Sequence, residues 1–171
     1  TEMTTADTAG SFLLDSGSDI NTTGGTGADG GAVTIKTSVR SASLAAETDG
    51  DIDIKGNITT SGGTASAAGK DGGAVTLNAG LDSAGNTAGQ ITIFTGADIT
   101  TIGSAAASSS DGNGGDGGAV TFDSNSTAII LADTTVNTSG GAKDGTGTDG
   151  SGGLITISDA LSLTTGAVTL N

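Results

Sequence analysis

Short runs in which aliphatic and polar residues alternate recur along this chain in nearly the same words. "AVTI" (Ala32 to Ile35), "AVTL" (Ala74 to Leu77), "AVTF" (Ala119 to Phe122) and "LITI" (Leu154 to Ile157) share one pattern. Alternation places Val33, Val75, Val120 and Ile155 on the same side as Ile35, Leu77, Phe122 and Ile157, with Thr34, Thr76, Thr121 and Thr156 facing away, as in a half-buried strand. A second set reads "DIDI" (Asp51 to Ile54), "QITIF" (Gln90 to Phe94), "AIIL" (Ala128 to Leu131) and "AVTL" (Ala167 to Leu170). A third follows a tight turn: "NITTSGG" from Asn57, "DITTIG" from Asp98 and "TVNTSGG" from Thr135. The segment "SFLLDSGSDINTTGG" from Ser11 supplies the second and third strands without the first, and the last segment is expected to supply the first and second and then stop.

The repeats align on glycine pairs starting at Gly30, Gly72, Gly117 and Gly152, a period of 35 to 45 residues that is characteristic of solenoids. One unit with strands of three to five residues cannot bury its apolar side. Units stacked about 4.8 Å apart bury continuous files of Val and Ile and pair each backbone with the coils above and below. The pattern therefore predicts an all-β parallel β-helix (β-solenoid), about one three-stranded coil per repeat, with Gly-rich loops projecting. It forms one domain over 1–171, with units at roughly 11–29, 30–71, 72–116, 117–151 and 152–171. No segment has a convincing helical period. "SVRSASLAAETD" from Ser38 reads as an insertion between strands one and two.

Composition narrows the picture. The chain has 32 glycines, three aromatic residues and no proline, and collagen is set aside for want of a three-residue period and proline. The net charge of −14, with five basic residues, disfavours nucleic acid and anionic membranes as partners and favours cations. Cysteine is absent, and no apolar run is long enough for a membrane-spanning helix. The opening "TEMTTADTAG" lacks basic and apolar leader regions, so a mature chain is expected in preference to an excised fragment.

The combination of "DGGAVTI", "GDIDIKGNITTSGG" and "GADITTIG" resembles the glycine- and threonine-rich strand repeats of bacterial haemagglutinin-like and adhesin-like β-helix surface proteins. The resemblance covers the chain from about Ser11 onward and is one of composition and cadence. It implies an extracellular or cell-surface location, a role in adhesion or surface architecture, and no catalytic residues.

Candidate chemistry is sparse. "GGTGAD" (Gly24 to Asp29) matches the opening of a calcium-binding nonapeptide, and calcium is the one cofactor considered, with Asp29, Asp71, Asp116 and Asp149 as ligand candidates. Asp51 and Asp53 alternate along one strand as a carboxylate pair, but without His, Trp or Tyr the chain is read as no enzyme. The sequons at Asn21, Asn57, Asn125 and Asn137 are glycosylation candidates. Neither end shows a capping helix, a proline or a charge run. The expected role is thus a structural subunit that stacks head to tail on itself into a filament or surface layer, with Phe12, Leu14, Ile20, Val168 and Leu170 at the joint. The alternative is a calcium-stabilised adhesin binding module excised from a longer surface β-helix protein, whose loops at Gly62 to Asp71 and Gly103 to Asp116 contact a cell-surface glycan or protein.

Overall fold

A computed structural model describes residues 10–37, 50–80, 89–124, 128–163 and 167–171, and among these there is no helix. The strands are β1 (Phe12–Leu14), β2 (Ile20–Asn21), β3 (Val33–Lys36), β4 (Ile52–Ile54), β5 (Ile58–Thr59), β6 (Val75–Asn78) and β7 (Ile91–Ile93). They continue as β8 (Ile99–Thr100), β9 (Val120–Asp123), β10 (Ile129–Leu131), β11 (Thr135–Asn137), β12 (Ile155–Ile157), β13 (Leu161–Leu163) and β14 (Thr169–Leu170). They form three wholly parallel sheets, in the orders β3-β6-β9-β12, β1-β4-β7-β10-β13 and β2-β5-β8-β11-β14. Every strand therefore pairs with its counterpart one repeat away, which is the topology of a parallel β-solenoid.

Register follows the sequence words. Val33 lies opposite Val75 and Val75 opposite Val120, while Ile52, Ile91 and Ile129 form a second file and Ile58, Ile99 and Val136 a third. These files make one core: Ile52, Ile54, Ile58, Val75, Leu77, Ile91, Ile93, Ile99, Val120, Phe122, Ile129, Leu131 and Val136 are all fully buried. A slip of one residue would turn a whole file outward, so burial fixes the register. Recurrence is what creates the interior, because each side chain in it is covered by its copies above and below.

One assignment is corrected. Ala167–Leu170 is not the second strand of the last unit: β14 pairs with β11 in the third sheet, and the second strand is β13, paired with β10. The last unit thus contains all three strands. The corner between β12 and β13 is only Ser158, Asp159 and Ala160, so "ITISDALSL" reads along the chain as one run although it bends between two sheets. The proposed insertion from Ser38 lies outside the described residues.

Candidate functional site: open coil edges and a glycine fin

The last coil has aliphatic residues at inward positions, and among the described residues no strand is stacked above them. Leu161 and Leu163 occupy the same file positions as the fully buried Ile129 and Leu131, yet they are 40% and 59% exposed, and Leu170, above Val136, is 44% exposed. Val168, Ile155 and Ile157 are half-buried around them. At the opposite end Phe12 and Ile20 are half-buried and Leu14 is nearly covered. All five residues expected at the joint therefore lie in the terminal coils. Leu161 and Leu163 were missed because the last coil's second strand was misplaced; the "LSL" alternation was the signal for them.

The second feature is a fin. In each coil a threonine at the end of the third strand clips the second glycine of the pair that opens the next strand. The hydroxyls of Thr22, Thr60, Thr101 and Thr138 donate to the carbonyls of Gly31, Gly73, Gly118 and Gly153 at 2.5, 2.5, 2.6 and 2.8 Å. The same glycines' N–H groups donate back to the threonine carbonyls at 2.8, 2.6, 2.6 and 2.7 Å. Thr60, Thr101 and Thr138 are buried, so these reciprocal pairs satisfy polar groups that would otherwise be costly.

Beyond the clip, the chain runs out and back, and the arms of successive coils pack backbone against backbone. Gly24, Gly62 and Gly103 donate to Ser61, Ile102 and Ser139 in the outgoing arm of the next coil, and Gly63, Ser104 and Gly141 donate to Ala28, Lys70 and Gly115 in the returning arm of the preceding one. Donors recur at every third residue, as at Gly69 and Gly72, Gly114 and Gly117, and Gly150 and Gly153. That is the period of an extended left-handed helix with three residues per turn. A three-residue glycine spacing therefore exists locally, confined to the loops, while the chain-wide period of collagen is absent. A Cβ at Gly62, Gly63, Gly103, Gly115, Gly141 or Gly150 would lie closer than 3.0 Å to a neighbouring backbone atom. Only hydrogen fits there.

Side-chain ladders run along the corners. Asp29 accepts the N–H of Asp71 at 3.1 Å, Asp71 that of Asp116 at 2.8 Å, and Asp116 that of Ser151 at 2.7 Å. A second ladder runs from Asp19 to Asn57, from Asn57 to Asp98 and from Asp98 to Thr135, at 2.8, 3.0 and 2.8 Å. Three of the four calcium candidates thus stand in one column, each with an oxygen engaged by the coil above. Asp149 stands outside it, with Oδ1 held by the N–H of Lys143 at 2.9 Å, and Ser151 takes the fourth place. Among the described residues no group of three or more His, Cys, Asp or Glu side chains could hold a metal ion, and the four aspartates do not converge into one such group.

The other candidates are separated from one another. Oδ1 of Asn21 accepts the N–H of Thr23 and Oδ1 of Asn137 that of Ser139, while Asn57 is a rung of the second ladder and Asn125 lies outside the described residues. Asp53 faces outward beside Asp51 and Lys55. Burial raises its pKa above the ordinary carboxylate value, the neighbouring Asp51 charge adds to this, and Lys55 opposes it. Lys55 Nζ lies 5.0 Å from the centre of the Phe94 ring, each residue just past the end of the paired strands β4 and β7. No family model, curated protein or solved structure matches this chain.

Proposed function

We propose that the chain is an extracellular structural protein whose solenoid stacks head to tail on further copies of itself, building a filament or surface layer. The observation that supports this is the apolar end of the last coil, where Leu161, Leu163 and Leu170 hold file positions that are fully buried in the coil below. In parallel pairing, residues along a strand alternate in pointing their N–H and C=O to one neighbour and then the other. Ala160 C=O accepts from Ile129 N–H in the coil below, so Leu161 and Leu163 direct theirs to the open side. On the first strand Phe12 N–H donates to Asp51 and Leu14 C=O accepts from Lys55, which leaves Leu13 facing outward along the axis. A joint that copies the internal register sets β13 on β1 and β14 on β2 of the next copy.

Covering three half-exposed leucines is worth about 1 kcal/mol each by apolar area. Association costs several times that, so the backbone ladder across the joint has to contribute as well. A contact of this kind joins unlike surfaces and does not close, which gives a linear polymer. The test is sedimentation and negative-stain microscopy over a concentration series. Wild-type protein is expected to form rods that lengthen with concentration, and Leu161→Asp with Leu163→Asp to remain as single particles. Wild-type protein that stays monomeric throughout refutes the proposal.

A further inference from the structure

On the outer face of the β3-β6-β9 sheet, one file breaks the run of threonine and alanine. Lys36 lies directly opposite Asn78, and Asn78 directly opposite Asp123. Asn78 Nδ2 donates to Asp123 Oδ2 at 3.2 Å. Its Oδ1 is buried and accepts no hydrogen bond, the one such side-chain atom among the described residues. A buried acceptor without a donor is a cost that a folded protein rarely carries without a reason. The donor this file offers it is the exposed lysine one strand away. Neighbouring strands are about 4.8 Å apart, a gap that the four-carbon lysine stem spans easily.

We propose that Lys36 and Asn78 form an isopeptide bond, with Asp123 as the catalytic carboxylate, covalently stapling two adjacent coils. The Lys36 amine, deprotonated, attacks Asn78 Cγ and forms the new C–N bond. Asp123 takes the proton from the attacking nitrogen and delivers it to Nδ2, whose bond to Cγ breaks, and one ammonia leaves. One amide is exchanged for another, with no change of oxidation state and no co-reactant. Asp123 is suited to this role because it already holds the leaving nitrogen. The staple does not require end-to-end stacking, because Lys36, Asn78 and Asp123 lie on the successive strands β3, β6 and β9 of one chain.

Intact-mass spectrometry of folded protein held at pH 7, 8 and 9, followed by peptide mapping, tests the proposal. The expected result is a time-dependent loss of one ammonia together with a branched peptide joining the Lys36 and Asn78 segments. Lys36→Arg and Asn78→Ala should keep the full mass, and Asp123→Ala should ligate at least tenfold more slowly. Unchanged mass in folded wild-type protein at pH 9 overturns the proposal. Ammonia loss that persists in Lys36→Arg does so as well, since it would report cyclisation of an asparagine on its own backbone.

Discussion

Replacing Gly63 by alanine tests whether the fin is a packed structure or a set of slack loops. A Cβ at Gly63 would fall on the carbonyls of Gly25 and Gly24 in the preceding coil, far inside contact distance, and those atoms are backbone that cannot rotate away. Relief requires the two coils to part locally. That loosens the bond from Gly63 N–H to Ala28 C=O (3.0 Å) and the adjacent bond from Gly24 N–H to Ser61 C=O (3.0 Å). Overpacking typically costs about 1–3 kcal/mol, and each weakened hydrogen bond adds about 1 kcal/mol. The expected loss is therefore about 3–5 kcal/mol. Gly25 is the matched control: a Cβ there meets nothing within 4 Å, and its φ is not in the left-handed region. Alanine at Gly25 should be neutral or stabilise by about 0.4–1 kcal/mol through the unfolded chain. Urea unfolding read by circular dichroism gives both values, and hydrogen exchange at the Gly24 and Gly63 amides localises the damage. If Gly63→Ala unfolds within 0.5 kcal/mol of wild type, or if Gly25→Ala is equally harmful, the packed-fin argument is wrong.

Other consequences are as specific. Phe122 is the largest fully buried side chain, so Phe122→Ala should cost about 3–5 kcal/mol in urea unfolding. Thr101→Val keeps the shape but deletes the donor to Gly118 C=O; a loss of about 1–2 kcal/mol is expected, with faster amide exchange at Gly118. Asp53 has a raised pKa in the folded state, so as pH rises from the unfolded to the folded value the unfolded chain ionises first and stability falls. Asp53→Asn should therefore melt higher than wild type at pH 7, and the gap should close below the ordinary carboxylate range; a gap that widens on acidification contradicts this.

The three files of the core were legible because β-alternation and the repeat period agree on the same residues: Val33, Val75 and Val120 could be aligned by eye and do stack. β13 was lost because the three-residue corner at Ser158 to Ala160 leaves no turn signature of glycine or a long loop. The fin was read as a loop because its order depends on contacts between coils, and glycine supplies no side-chain pattern. What remained visible in the sequence was spacing, as in Gly147, Gly150 and Gly153, and spacing within loops carries meaning only once the arms are known to lie side by side. Asp149 was grouped with Asp116 because both precede glycine, but the two extra residues in "DGSGG" shift the register and put Ser151 in the column.

The ladders also give the stack a direction. In each of the two corner columns the side-chain oxygen of one coil accepts from the backbone N–H of the coil on its C-terminal side, from Asp29 through Asp116 and from Asp19 through Asp98. The carboxylates of Asp29, Asp71 and Asp116 follow one another at coil spacing, an arrangement that like charges resist. It persists because each is held by an amide dipole and faces solvent, where screening is strong. A coil laid on in the opposite sense would point carbonyls at carboxylates and leave these amides unmatched. Parallel addition is thus favoured twice, by the backbone ladder and by the columns. Substituting Asp71 or Asp116 by alanine should weaken coil-to-coil cohesion at that level by about 1 kcal/mol while leaving the aliphatic files in register, because the files depend on burial and the columns on hydrogen bonding.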